Sequence, residues 1–177
     1  MAAAERARPL LFVFAGLPGT GKSTIARRLA ERTGAVWLRV DTVEAAAVQA
    51  GLPASFETGL AAYLAVQGIA RENLVLGRSV IVDAVNAVEP ARQMWRDLAA
   101  ECGADRRVVE VVVRDRVEHR RRVEQREAPS PPLRTPTWQD VVDREYAPWE
   151  EPVLQLEGAD DPEANLARVL RAVADRG

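Results

Sequence analysis

The sequence predicts an α/β domain with a parallel sheet covered by helices on both faces. Three observations predict it. Five short apolar runs alternate with segments of helical period along 177 residues. The runs are apolar at nearly every position, not at every second one, as in strands buried on both faces. Glycine and proline fall between the segments, where the chain must turn. A chain of this length builds one core, so a single domain over residues 1–177 is expected.

The first run is Leu10-Leu11-Phe12-Val13-Phe14, between Pro9 and Ala15. A glycine-rich octapeptide follows. Residues 23–33 then place Ile25, Ala26, Leu29 and Ala30 at helical spacing, and Gly34 reads as the stop. Residues 36–40 form the second strand, ending at Asp41, with a helix over 43–49 broken by Gly51-Leu52-Pro53. Residues 57–76 read as a long helix ended by Gly77, and 79–83 as the third strand. Residues 90–102 fit an amphipathic helix closed by Gly103, and the valine-rich 108–113 a fourth strand. Residues 117–126 are expected to be helical. The four prolines in 128–136 exclude regular structure there. A short helix over 138–146, a fifth strand over 153–156 and a last helix from Asp161-Pro162 to about Asp175 complete the chain.

Composition excludes several classes. A net charge of −2 and a pI near 5.6 argue against a dedicated nucleic-acid binder. One cysteine, Cys102, excludes a disulfide framework and suits a reducing cytoplasm. With one histidine and one cysteine, a zinc site has too few soft ligands. No apolar run reaches the roughly 18 residues of a membrane span. Residues 1–8 lack the apolar segment of a signal peptide and are expected to be a frayed end.

The chemistry is concentrated in the octapeptide Gly16-Leu17-Pro18-Gly19-Thr20-Gly21-Lys22-Ser23. It matches the phosphate-binding pattern G-x-x-x-x-G-K-[ST] and stands between a strand and a helix, as that mechanism requires. Of the 24 lysine and arginine residues, only Lys22 is lysine. A compact ammonium fits inside a closed loop of amides, where arginine's planar fork would not. The glycines let the chain wrap an anion, and the helix N-terminus adds roughly half a positive charge. Lys22 would reach the β- and γ-phosphates of a nucleotide, and the Ser23 hydroxyl would ligate Mg²⁺.

Ligands of such sheets bind at the carboxyl ends of the strands. Asp41 there could accept the proton of an attacking hydroxyl, or orient that hydroxyl. It could instead cap the next helix, since Asp41-Thr42-Val43-Glu44 fits a capping box. Asp83 closes Val80-Ile81-Val82 and could hold Mg²⁺, serve an acceptor site together with Asn86, or merely turn the chain. Arg114, Arg116, Arg120, Arg121, Arg122 and Arg126 crowd one segment with Asp115, Glu118 and Glu124, so some are i,i+3 or i,i+4 pairs. Arg122 and Arg126, four apart on one expected helix face, could close over a nucleotide and neutralise a transferring phosphoryl group. His119 is expected on the surface. Trp138, Tyr146 and Trp149 either line an acceptor pocket or anchor the proline loop.

Gly16 to Thr24, Arg39-Val40-Asp41, Val80 to Asp83 and Arg121 to Arg126 together resemble the small P-loop kinases of the adenylate-kinase-like group. That group includes polynucleotide kinases, chloramphenicol phosphotransferase, gluconate kinase and zeta toxins. The resemblance spans about residues 9–175. It implies a three-layer fold with a five-stranded parallel sheet of order 2-3-1-4-5, an arginine-rich lid over about 114–137, and ATP with Mg²⁺ as donor. Gly16, Leu17, Pro18, Gly19, Thr20, Gly21, Lys22, Ser23 and Thr24 carry over as the donor site. Asp41 matches the proposed base of chloramphenicol phosphotransferase. Asp83-Ala84-Val85-Asn86 with Arg92 is similar to a stretch of the polynucleotide-kinase-like members, with Val85 in place of threonine. Arg122 and Arg126 match lid arginines, and Gly158 lies where related kinases cradle adenine.

The expected function is an ATP-dependent phosphotransferase acting on a hydroxyl of a small molecule, with Ser23 and Asp83 at the metal. A polynucleotide 5′-hydroxyl kinase would need a basic channel, which the acidic pI opposes. A non-enzymatic switch remains the other class. A guanine-reading Asn-Lys-x-Asp motif is excluded, because Lys22 is the sole lysine.

Overall fold

In a computed structural model, residues 8–126 and 132–174 are described. The expectations for residues 1–7, for 127–131 of the proline segment and for the extreme C-terminus lie outside them. Five strands form one parallel sheet: β1 (Leu10–Ala15), β2 (Val36–Arg39), β3 (Val80–Asp83), β4 (Asp105–Val112) and β5 (Leu154–Glu157). Their order is β2-β3-β1-β4-β5, the order expected. β1 is central, with Leu11 facing Val80 on one side and Arg106 on the other.

The helices are α1 (Lys22–Thr33), α2 (Val40–Gln49), α3 (Phe56–Val75), α4 (Glu89–Cys102), α5 (Arg116–Glu124), α6 (Trp138–Val142) and α7 (Pro162–Ala174). Successive side chains of a strand point to opposite faces, so β1 feeds two cores. Leu11 and Val13 pack with Val66, Ala70, Leu74, Trp95 and Leu98 of α3 and α4. Phe12 and Phe14 pack with Ile25, Leu29, Leu166 and Val169 of α1 and α7. Both faces of the sheet are thereby closed, which explains why its strands carry no alternating pattern.

Most boundaries shift by a residue or so from the sequence expectation, and four of the differences bear on the site or its surroundings. β2 ends at Arg39, opposite Asp83 in the ladder, and α2 begins at once with Val40. β4 starts three residues early, because its backbone pairs with β1 from Asp105 onward regardless of side chain. Arg106 there is an ion-pair partner of Glu151. α5 ends at Glu124, so Arg126 lies beyond it and shares no helix face with Arg122. α6 stops at Val142; a capping box between Thr137 and Asp140 fixes its start.

Candidate phosphate-binding and acceptor site

The carboxyl ends of β1, β2 and β3 bring the predicted acids and the glycine loop together. Lys22 opens α1 and is 6% exposed, so its ammonium is buried without an anion beside it in sequence. Burial lowers its pKa; Asp83 and then Asp41 oppose this, while Arg126 and Arg39 reinforce it. Those five groups share one field of three cations and two carboxylates. The excess positive charge is what a polyphosphate would neutralise. A cleft of about 250 Å³ beside it is lined by Gly19, Gly21, Lys22, Ser23, Thr24, Arg122 and Arg126. Among the described residues, the amides of Gly19, Gly21, Lys22 and Ser23 donate to no acceptor of the protein. Free N–H groups at a helix start, with a cation beside them, form an anion site.

The loop is clamped from behind. Gly19 has φ 82°, and a Cβ there would lie 2.7 Å from the Val123 Cγ2 of α5. A Cβ on Gly158 would lie 1.9 Å from the Thr20 carbonyl oxygen, so only glycine lets the β5 end approach the loop. The Gly158 carbonyl accepts from Arg122 Nη1 at 2.8 Å. Arg122 Nε donates to Glu118, whose carboxyl is pushed down to about 2 by hydrogen bonds from Arg121 and then Arg122. Arg120 pairs with Glu124 and Arg114 with Glu157, so the pairing interpretation holds for much of the arginine cluster. Arg122 and Arg126 nevertheless line the same cleft, by different routes. Arg122 is on the helix beside Gly158, whereas Arg126 is half-buried past its end and coupled to Asp41.

Asp83 is 3% exposed. Its Oδ2 lies 3.4 Å from Arg39 Nε, an ion-pair contact too poorly aligned to be a hydrogen bond, and has no other partner. A buried carboxylate oxygen left open near Lys22 suits a hydrated Mg²⁺. Among the described residues no cluster of three or more His, Cys, Asp or Glu could hold a metal by itself.

Asp41 is not a cap. Arg39 occupies the N-cap position with extended backbone and makes no side-chain cap, and Asp41 stands in the first turn of α2. The capping-box interpretation is thereby corrected. The Asp41 carboxylate is free to face Lys22, Arg126, Glu44 and Tyr63. Burial and Asp41 raise the Glu44 pKa, and burial pushes Tyr63 up to about 12. Tyr63 is thus a neutral phenol; its oxygen accepts from the Asn86 amide at 3.3 Å. Arg39, Glu44 and Tyr63 were not singled out in the sequence. Arg39 carried a signal in its place at a strand end and Glu44 one in the apparent capping box, whereas Tyr63 carried none.

Asn86 and Arg92, candidates for an acceptor site, are struts. Asn86 has φ 50° and is fully buried; Nδ2 donates to the Phe14 carbonyl and Oδ1 accepts from Trp95. Arg92 is 1% exposed, donates to the carbonyls of Asn86, Ala87, Ala147 and Pro148, and stacks 3.8 Å from the Trp149 ring. It ties the segment after α6 to the end of β3. Tyr146 hydrogen-bonds to Glu110, Trp138 meets His119, and Trp149 stacks on Arg92, so the three aromatics anchor this segment; Trp149 also borders a separate cleft with Glu89, Arg96, Glu150 and Glu151. Arg92→Leu is expected to cost about 4 kcal/mol, since it strands several buried carbonyls. Urea unfolding checks this; a stable variant would restore an acceptor role for Arg92.

His119 is not on the surface. It is 6% exposed and its Nε2 lies 2.8 Å from the Pro18 carbonyl. A larger cleft of about 550 Å³ opens at the opposite end of the sheet, between β4, β5 and α7. It contains no phosphate loop, and its Arg106 is engaged by Glu151.

Comparison with known proteins follows the same geometry. A family model described as an AAA domain matches residues 11–147. No curated protein matches the sequence. The chain is similar in structure to the APS kinase of Mycobacterium tuberculosis in complex with AMPPNP and APS. The TM-score is 0.73 at 20% identity, covering 94% of this chain and 98% of that one. It is similar to a gluconokinase from Sinorhizobium meliloti, with TM-score 0.65, 19% identity and coverage of 97% and 99%. Kti12 of Chaetomium thermophilum, in complex with ADP-AlF3, gives 0.70 at 23% identity, covering 93% and 97%. At these identities the likeness shows the fold, which is that of P-loop kinases. Among the described residues no helix is long and apolar enough to cross a membrane.

Proposed function

The chain belongs to the AAA domain family, and we propose that it is an ATP-dependent kinase that moves the γ-phosphate to a hydroxyl of a small-molecule acceptor. The observation that carries this reading is the buried Lys22 at the start of α1, flanked by Asp83 and Asp41 and faced by Arg122 and Arg126. Nucleotide-bound relatives of the same fold support the donor, in complexes with AMPPNP and with ADP-AlF3. The loop amides and Lys22 hold the β- and γ-phosphates, with the base along Gly158. Ser23 and Asp83 would hold Mg²⁺, which would supply charge neutralisation. Asp41 accepts the acceptor hydroxyl proton as the new oxygen–phosphorus bond forms and the bond from γ-phosphorus to the β,γ-bridging oxygen breaks. Arg122 and Arg126 offset charge on the moving group and exclude water, which would otherwise hydrolyse the donor.

The acceptor side is the space among Asp41, Glu44, Tyr63 and Arg126, between α2 and α3. Arg126 and Arg144 offset the two carboxylates there, and that balance suits an uncharged polyhydroxylated compound better than a phosphate-rich chain. The test is a screen for transfer of labelled γ-phosphate to sugars, nucleosides, aminoglycosides and oligonucleotides. Transfer to one small-molecule class supports the proposal. Tight AMPPNP binding without transfer to any acceptor would favour a nucleotide-dependent switch, and transfer to oligonucleotides a polynucleotide kinase.

A further inference from the structure

His119 reaches the phosphate loop from α5 without touching the cleft. A carbonyl oxygen can only accept, so His119 Nε2 carries the proton and donates to the Pro18 carbonyl at 2.8 Å. The ring is held in place: Trp138 meets it edge-on at 5.3 Å and 80°. Arg116 lies 5.9 Å above the Trp138 ring. One turn on, Val123 packs against Gly19.

The bond matters because of what is attached to Pro18. The Pro18 carbonyl and the Gly19 N–H belong to one planar trans peptide, in which the two groups point in opposite directions. Pinning the carbonyl toward α5 turns the Gly19 N–H away from α5. Gly19 lines the phosphate cleft, and its amide donates to no acceptor of the protein among the described residues. Glycine at φ 82° has little intrinsic preference to hold that orientation. A hydrogen bond at the carbonyl also polarises the peptide and strengthens its N–H as a donor.

We infer that His119 is a positioning residue for the bound polyphosphate, acting through the Pro18–Gly19 peptide to aim and polarise the Gly19 amide. The inference rests on the proposed nucleotide binding at this cleft. The same bond also joins the loop to α5, the helix that carries Arg122.

The test is calorimetric titration of the full chain with AMPPNP. His119→Phe keeps the ring's bulk against Trp138 and removes the donor; its affinity is expected to fall about tenfold, or about 1.4 kcal/mol. His119→Gln places an N–H at the same bond count from the backbone as Nε2 and is expected to bind within about threefold of wild type. His119→Asn is too short to reach and is expected to match the phenylalanine variant. Wild-type affinity in His119→Phe, or equal affinities for the Gln and Asn variants, would overturn the inference. The second comparison decides the matter even if the phenylalanine variant fails to fold. Absence of AMPPNP binding by the wild type would overturn the proposed function itself, and with it this assignment.

Discussion

Replacing Lys22 by methionine is expected to weaken AMPPNP binding about a hundredfold. Under the proposed function the ammonium would make charge-assisted hydrogen bonds worth roughly 1.5–3 kcal/mol each, and no other lysine can substitute. Titration calorimetry checks it; unchanged affinity would remove the phosphate loop from the function. The same substitution has a second consequence. Burial holds the Lys22 pKa below its ordinary value, so the unfolded chain binds more protons than the native one. Stability of the nucleotide-free protein should therefore rise with pH between the lowered value and the ordinary 10.5. Lys22→Met should flatten that rise and cost no stability at neutral pH, because it removes a buried charge. Thermal unfolding across the alkaline range, with and without the substitution, measures both effects.

Asp41→Asn is expected to leave AMPPNP affinity within about threefold of wild type and to lower phosphoryl transfer by about 10²–10⁴-fold. The amide keeps the shape and can still orient a hydroxyl, but it cannot take the proton. Because Asp41 is not the α2 cap, the substitution should not unfold the helix, and circular dichroism should be unchanged. Transfer at the wild-type rate in this variant would leave Asp41 as an electrostatic neighbour of Lys22 only. The two substitutions separate the halves of the site: Lys22 reports on the donor and Asp41 on the acceptor. Loss of nucleotide binding on both would mean that Asp41 supports the loop instead.

The proposed donor half is contiguous in the chain. Eight successive residues carry the pattern, with β1 before them and α1 opening at Lys22 within them. The strands were legible because both their faces are buried, which leaves an apolar record in the chain. Boundaries were less so. The β1–β4 ladder runs through Asp105, Arg106 and Arg107 on backbone bonds that polar side chains do not forbid. The end of α5 before Arg126 leaves no mark stronger than the prolines that follow.

The acceptor half was legible only in part. Asp41 and Asp83 were visible as acids at strand ends, but their neighbours Arg39, Glu44 and Tyr63 come from other turns and another helix. Asn86 and Arg92 suggested a ligand site by pattern, yet the buried arginine spends four of its five N–H groups on backbone carbonyls. Their work is to brace the end of β3, on which Asp83 stands.

The sequence by itself determined the phosphate loop, the class of fold and the acids at the strand ends, because each depends on residues adjacent in the chain or on burial that patterns it directly. Only the tertiary structure decided what His119, Arg92 and Arg39 do. His119 meets Pro18 across 101 residues, and Arg92 meets Pro148 across 56. Contacts of that span are set by how helices close over a sheet, and a side chain's local spacing carries no record of the partner it will meet.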